Sequence, residues 1–219
     1  MFIELTDHLR CPAAHDESFL VLLPDAVKDR QVRTGTFGCP VCNATYPIVD
    51  GVVRFGPPSA LLPVSPSAPP PVAGLAAFLG LGGPGGYVGL VGDIAALGRE
   101  LSTALPGVHF AGINAPAGTE GSDRVSLMEA PSIPVKARQL RGVVLGTGYG
   151  AVPEWIAEGV RVVLPGLRVV GVGPAPVRED LQILAAAEGW WVGVRKEAGR
   201  RVVVKRNRPE RSEGPSSSS

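Results

Sequence analysis

Four side chains near the start of the chain have the types and spacing of a metal site: Cys11, His15, Cys39 and Cys42. They read C-x3-H, a stretch of 23 residues, then C-x2-C. Zinc takes four ligands in a tetrahedron, and three thiolates with one imidazole form one of the closed sets that hold it structurally. All 3 cysteines of the chain are used, and none is left over. A closed set leaves no position for substrate, so the chemistry expected is the stapling of a small fold. An alternative set replaces His15 by Asp16 or by water.

The elements around these ligands are short. Ser18–Leu23 is an apolar run that reads as a strand, with a helix as an option from Asp25 to Arg30. Gln31–Gly38 alternates in the manner of a strand and delivers Gly38, whose permissive backbone suits the turn before the Cys39–Cys42 knuckle. Tyr46–Ile48 and Val52–Phe55 read as two strands joined by Asp50-Gly51, a two-residue hairpin signal. A β-rich unit over 1–55 has a thin core and needs the metal. Leu9-Arg10-Cys11-Pro12, Gly38-Cys39-Pro40-Val41-Cys42 and Tyr46-Pro47-Ile48 with Gly51-Val52-Val53 resemble the small zinc-binding activator subunit of tRNA, rRNA and release-factor methyltransferases. His15 stands where a second cysteine is common. The resemblance implies a unit that stabilises a methyltransferase by pairing a strand with its sheet and covering an apolar patch.

Residues 56–73 carry seven prolines and no charged side chain, the composition of an extended spacer. From 74 to 206 strand and helix patterns alternate, which predicts an α/β layer structure. Strands are expected at Tyr87–Val91, Val108–Ile113, Val125–Met128, Gly142–Gly146 and Leu167–Val172. Helices are expected over Leu75–Leu81, from a cap at Asp93 to Leu105, over Pro153–Val163 and over Arg178–Glu188. Trp190–Val194 and Arg201–Lys205 are expected to close the sheet as a hairpin, with one of Trp190 and Trp191 in the core and the other at a rim. The glycine cluster Gly82–Gly86 precedes the first convincing strand, so it reads as a turn and not as a phosphate loop.

Ala157–Val172, with Leu164-Pro165-Gly166 at its centre, and the approach from Ile133-Pro134-Val135 to Val144-Leu145 are similar to class I S-adenosylmethionine methyltransferases. That resemblance implies a Rossmann-like sheet with a cofactor site at Gly92, Asp93, Asn114, Gly146 and Gly148. It also shows departures. Gly89 stands where the family has an acid, Ile94 and Ala95 stand in place of loop glycines, and Asn114 replaces a ribose-binding carboxylate. Ala130-Pro131 lies where an acid would meet the adenine, and Gly142 replaces an aspartate. Together they predict weak binding of S-adenosylmethionine, or none.

A net charge of +1, with 45% apolar and 19% charged residues, describes an ordinary globular chain with no strong global attraction to nucleic acid or membrane. The first residues lack a basic start followed by an apolar run, and three cysteines at metal spacing fit a reducing compartment, so a cytoplasmic location is expected. Arg195–Arg211 holds eight basic residues against Glu197 and Glu210, a cluster able to touch RNA phosphates, and 207–219 reads as disordered. The reading is a zinc-binding unit fused to a degenerate methyltransferase-like domain. Its function would be non-catalytic binding or regulation of a protein partner, or docking on its own second domain. The alternative is an active methyltransferase with a built-in activator.

Overall fold

The computed structural model describes residues 1–57 and 70–197. Four short strands come first: β1 (Val21–Lys28), β2 (Gln31–Gly38), β3 (Thr45–Val49) and β4 (Val52–Arg54). They form an antiparallel meander in which each strand pairs with the next. Asp50 (φ 51°) and Gly51 (φ 78°) both turn left-handed between β3 and β4, as a two-residue hairpin turn requires. In β3, Tyr46 and Ile48 are buried while Thr45, Pro47 and Val49 face outward, the period-2 pattern of a sheet with one packed face.

After α1 (Val72–Leu79) the chain builds β5 (Tyr87–Val91), a 3₁₀ turn and α2 (Gly98–Ala104), β6 (His109–Ile113), β7 (Val125–Glu129), β8 (Leu140–Leu145), α3 (Pro153–Val162), β9 (Val163–Val172), β10 (Leu181–Ala187) and β11 (Trp190–Arg195). Strands β5 to β9 are parallel; β11 runs antiparallel to β9, and β10 antiparallel to β11. Every residue of β6 is buried, as befits a parallel strand covered on both faces.

All eleven strands join in one mixed sheet, ordered β1-β2-β3-β4-β7-β6-β5-β8-β9-β11-β10. The N-terminal meander enters it through β4, which pairs in parallel with β7 (Val52 with Leu127, Val53 with Met128, Arg54 with Glu129). The core crosses that seam. One buried cluster holds Leu5, Leu9, Phe37, Ile48 and Val53 together with Ile113, Met128, Val135, Val143 and Trp191. The first residues lie over the parallel strands: Leu9 bridges Val135, the Arg10 N–H donates to Pro134 O at 3.0 Å, and the Lys136 N–H donates to His8 O at 2.8 Å. Helices α1 and α2 cover the opposite face, over Leu90, Phe110, Val144 and Val170.

Several expectations are corrected. Residues 181–187 are strand β10, not a helix, because Ala-rich helix propensity is a weak preference beside pairing with β11 across the left-handed Glu188-Gly189 turn. The option of a helix from Asp25 fails in the same way, since β1 pairs through Lys28. Gly38 keeps a negative φ, and the left-handed residue at the knuckle is Asn43, φ 58°. Both tryptophans are buried: Trp191 donates its indole N–H to Gly150 O at 3.0 Å, and Trp190 packs against Phe78 of α1 on the other face. Most of the proline-rich spacer, the expected strand Arg201–Lys205 and the basic run beyond Glu197 lie outside the described residues. Among the described residues no helix is long and apolar enough to cross a membrane.

Candidate metal centre and cofactor crevice

Two chain reversals deliver the four metal-type ligands. The first runs from Cys11 to Ser18, closed where the Cys11 N–H meets Ser18 O at 3.2 Å. The second is the knuckle after β2, where the Cys39 N–H donates to Ala44 O at 2.9 Å and the Asn43 N–H to Cys39 O at 3.0 Å. One ligand atom from each of Cys11, His15, Cys39 and Cys42 falls within 4.8 Å of all the others. Cys11 Sγ and Cys42 Sγ are 3.7 Å apart, and Cys39 Sγ lies 3.4 Å from His15 Nε2. With zinc–sulfur bonds near 2.3 Å and zinc–nitrogen bonds near 2.0–2.1 Å, a regular tetrahedron has edges of about 3.8 and about 3.6 Å. These pairs are therefore set for one ion.

The surroundings prepare the donors. His15 Nδ1 lies 2.7 Å from Asp16 O, which can only accept, so Nδ1 carries the proton and Nε2 turns its lone pair inward. That carbonyl, with the Cys42 thiol, pulls the His15 pKa above its usual value, so a metal competes with a proton there. Burial pushes the Cys39 thiol up, but the N–H groups of Cys42 and Val41 and the neighbouring thiols outweigh it and bring it down to about 6. Cys11 is pushed up, chiefly by burial, against the pull of the Tyr46 hydroxyl 3.1 Å from its sulfur. Burial and that same contact push the Tyr46 phenol up. The sequence offered Tyr46 only as part of the Tyr46-Pro47-Ile48 strand; its place in β3 opposite Phe37 is what sets its hydroxyl beside Cys11.

The cofactor-type residues converge at the other feature a doubly wound sheet predicts. Strand order reverses between β5 and β8, and ligands of such sheets bind in the crevice beyond the carboxyl ends at that point. Gly92 and Asp93 follow β5, Asn114 follows β6, and Gly146 and Gly148 follow β8. The structure brings their loops together, but Gly92, Asp93, Asn114 and Gly146 are each engaged by the protein itself. Asp93 Oδ1 accepts the N–H of Thr147 at 2.9 Å and of Ile94 at 3.0 Å, so it ties the two loops together and does not cap a helix. A side chain at Gly146 would fall on that carboxylate. Asn114, left-handed at φ 54°, donates to Ala130 O at 2.9 Å and accepts the Ala130 N–H at 2.8 Å.

The crevice floor is filled by Tyr149, from the glycine-rich loop that follows β8. Its ring lies on Gly92, where a Cβ would come within 2.5 Å of Tyr149 Cε2, and it meets Trp155 edge-on at 4.7 Å. Tyr149 is 4% exposed. Burial pushes its phenol up, a hydrogen bond with Asn114 pulls the other way, and the Asp93 carboxylate adds to the rise. Gly92 has φ 77° and no Cβ, both needed here: one for the turn out of β5, the other for the ring.

No protein-family model matches the chain, and no curated protein does. Among solved structures the chain is similar to a Methanococcus maripaludis protein assigned as an S-adenosyl-L-methionine-dependent methyltransferase, at 11% identity and TM-score 0.45 over 60% of this chain and 85% of that one. It is similar to a Bacillus halodurans protein assigned as a methyltransferase, at 18% identity and TM-score 0.37 over 49% of this chain and 53% of that one. A third is phosphoethanolamine N-methyltransferase 2 of Haemonchus contortus, in complex with S-adenosyl-L-methionine, at 16% identity and TM-score 0.37 over 49% of this chain and 29% of that one. This chain thus spans about half or less of the second and third. Likeness at this level assigns no activity to it.

Proposed function

We propose that this protein is a non-catalytic binding protein. In this reading an activator-like unit, stapled by zinc at Cys11, His15, Cys39 and Cys42, is built into the sheet of a methyltransferase-like domain that no longer takes S-adenosylmethionine. Zinc, when bound, supplies structural cross-linking between the two reversals and no open coordination position. The residues of this chain do the rest: Tyr46 braces Cys11, Asp16 O orients His15, and β4 carries the stapled meander into register with β7.

The observation that carries the non-catalytic part is Tyr149. A cofactor seated over Gly92 needs the space that the Tyr149 ring fills, and Asp93, the one carboxylate among the candidates, is already held by two backbone N–H groups. Calorimetric titration of the metal-loaded protein with S-adenosylmethionine tests this. No heat of binding is expected up to millimolar ligand. Micromolar binding would replace this reading with that of an active methyltransferase carrying its own activator. Metal analysis of the purified chain should return one zinc per chain, and no zinc in Cys39→Ser.

A further inference from the structure

At the opposite end of the sheet from the crevice lies a cleft of about 500 Å³, between the end of α3, the start of β10 and the end of β11. Its inner wall carries Arg161 and Arg195, both half-buried, and Arg138 stands beside them. Arg161 is neutralised by Glu158 (2.7 Å) and Glu17 (3.4 Å), and its guanidinium also serves Ile133 O and Val135 O. Arg195 is held differently. Its Nη1 donates only to backbone carbonyls, those of Arg161 and Val163, which fix the guanidinium without cancelling its charge. Asp180, the acid that acts on it, is occupied by Arg178 in a two-bond pair at 2.9 and 2.8 Å. Arg138 makes no side-chain hydrogen bond among the described residues.

Arg195 is therefore a desolvated cation, fixed in place, with Arg138 and Arg161 as like-charged neighbours. Burial, then Arg138 and Arg161, push its pKa down, against the pull of the Asp180 carboxylate. Glu179 and Glu197 lie at the exposed rim with Lys196, and among the described residues neither bonds to the carbonyl-held guanidinium. A planar fork with unused N–H groups is the geometry that takes a phosphate. The sequence that follows is basic in composition (Arg200, Arg201, Lys205, Arg206, Arg208 and Arg211), which favours a polyanion over a lone phosphate as the source of that group. A duplex presents its backbone on a convex cylinder that cannot enter a cleft, whereas a volume near 500 Å³ is within the range of small-ligand sites and admits a nucleotide unit.

We propose that this cleft holds a backbone phosphate of single-stranded nucleic acid, with Arg195 and Arg138 as the contacting groups. The test is fluorescence anisotropy of a labelled 15-nucleotide RNA with the full chain across a salt series. For single strands the slope of log K against log salt is about −0.7 per phosphate contact, so Arg138→Gln with Arg195→Gln, which removes that one contact, should flatten it by about 0.7 and weaken binding about 5-fold at 0.1 M salt. Arg138→Gln alone, at an exposed side chain without bonds, should flatten it by less than the double variant, and Arg195→Lys should keep most of the slope. No binding by the unmodified protein, or an unchanged slope in the double variant, overturns the proposal. Equal displacement by inorganic phosphate and by unlabelled RNA of the same phosphate concentration overturns the nucleic-acid assignment in favour of free phosphate.

Discussion

Breaking the metal centre should unfold the parallel sheet as well as the meander. Cys39→Ser removes a ligand, and metal binding in small stapled folds is worth about 10–16 kcal/mol at neutral pH. The outer part of the meander has little else to hold it, since β1 is exposed along most of its length. Once it opens, the second part loses Leu5 and Leu9, both 0% exposed, from its own core, along with Ile48 and Val53 against Met128 and Ile113. Each fully buried aliphatic side chain contributes about 1.5–3 kcal/mol, so four of them amount to roughly 6–12 kcal/mol. That is comparable to the entire stability of a typical domain, about 5–15 kcal/mol. The pairing of β4 with β7 goes too, leaving β7 as a bare edge.

The assay is favoured by the placement of the tryptophans. Trp155, Trp190 and Trp191 all lie in the second part, so intrinsic fluorescence reports the parallel sheet and is blind to the meander. Urea titrations of the zinc-loaded protein, the chelated protein and Cys39→Ser should show one transition each, with the tryptophan midpoint falling sharply in the last two. A tryptophan midpoint unchanged after zinc is removed would refute the shared core, and with it the claim that the meander is part of one folding unit.

Other outcomes follow from single side chains. Tyr149→Ala should cost about 3–5 kcal/mol in urea unfolding, as a buried aromatic lost against Trp155 and Gly92, while Tyr149→Phe should cost about 1 kcal/mol for the Asn114 hydrogen bond. His109 is buried, stacked on Phe2 and 3.0 Å from Ser126 Oγ; burial, then the Met1 ammonium, lower its pKa to about 4. Its neutral form is the one the fold accepts, so its contribution is full above about pH 6.5 and is lost as pH falls toward 4, amounting to roughly 3 kcal/mol. Urea midpoints at pH 7 and pH 4.5 should therefore differ less in His109→Gln than in the parent. Tyr46→Phe should weaken zinc retention against a chelator about tenfold or more without unfolding the loaded protein, since it removes only the hydroxyl beside Cys11.

What the sequence disclosed, and what it hid, divides along the range of the forces involved. The Cys/His cluster was legible because half of it is local in sequence, the C-x2-C pair that forms the knuckle after β2. The parallel strands were legible for a similar reason, since Val143-Val144-Leu145 is too apolar to lie anywhere but inside a sheet. The hidden parts depend on partners distant in sequence. Leu181–Ala187 carries helix-forming alanines and becomes a strand only because β11 lies beside it. Nothing local in Gly146-Thr147-Gly148-Tyr149-Gly150 shows that the Tyr149 ring rests on Gly92, 57 positions earlier in the chain. Once the ring is seated on Gly92, a carboxylate at the end of β6 would find no ribose to hold. Asn114 in that place instead closes the strand end on Ala130 and meets the phenol. Asp93, kept from the same crevice, gains a structural task by joining the β5 and β8 loops. These contacts form one self-consistent packing, and it is on that packing that the proposal of a protein without S-adenosylmethionine rests.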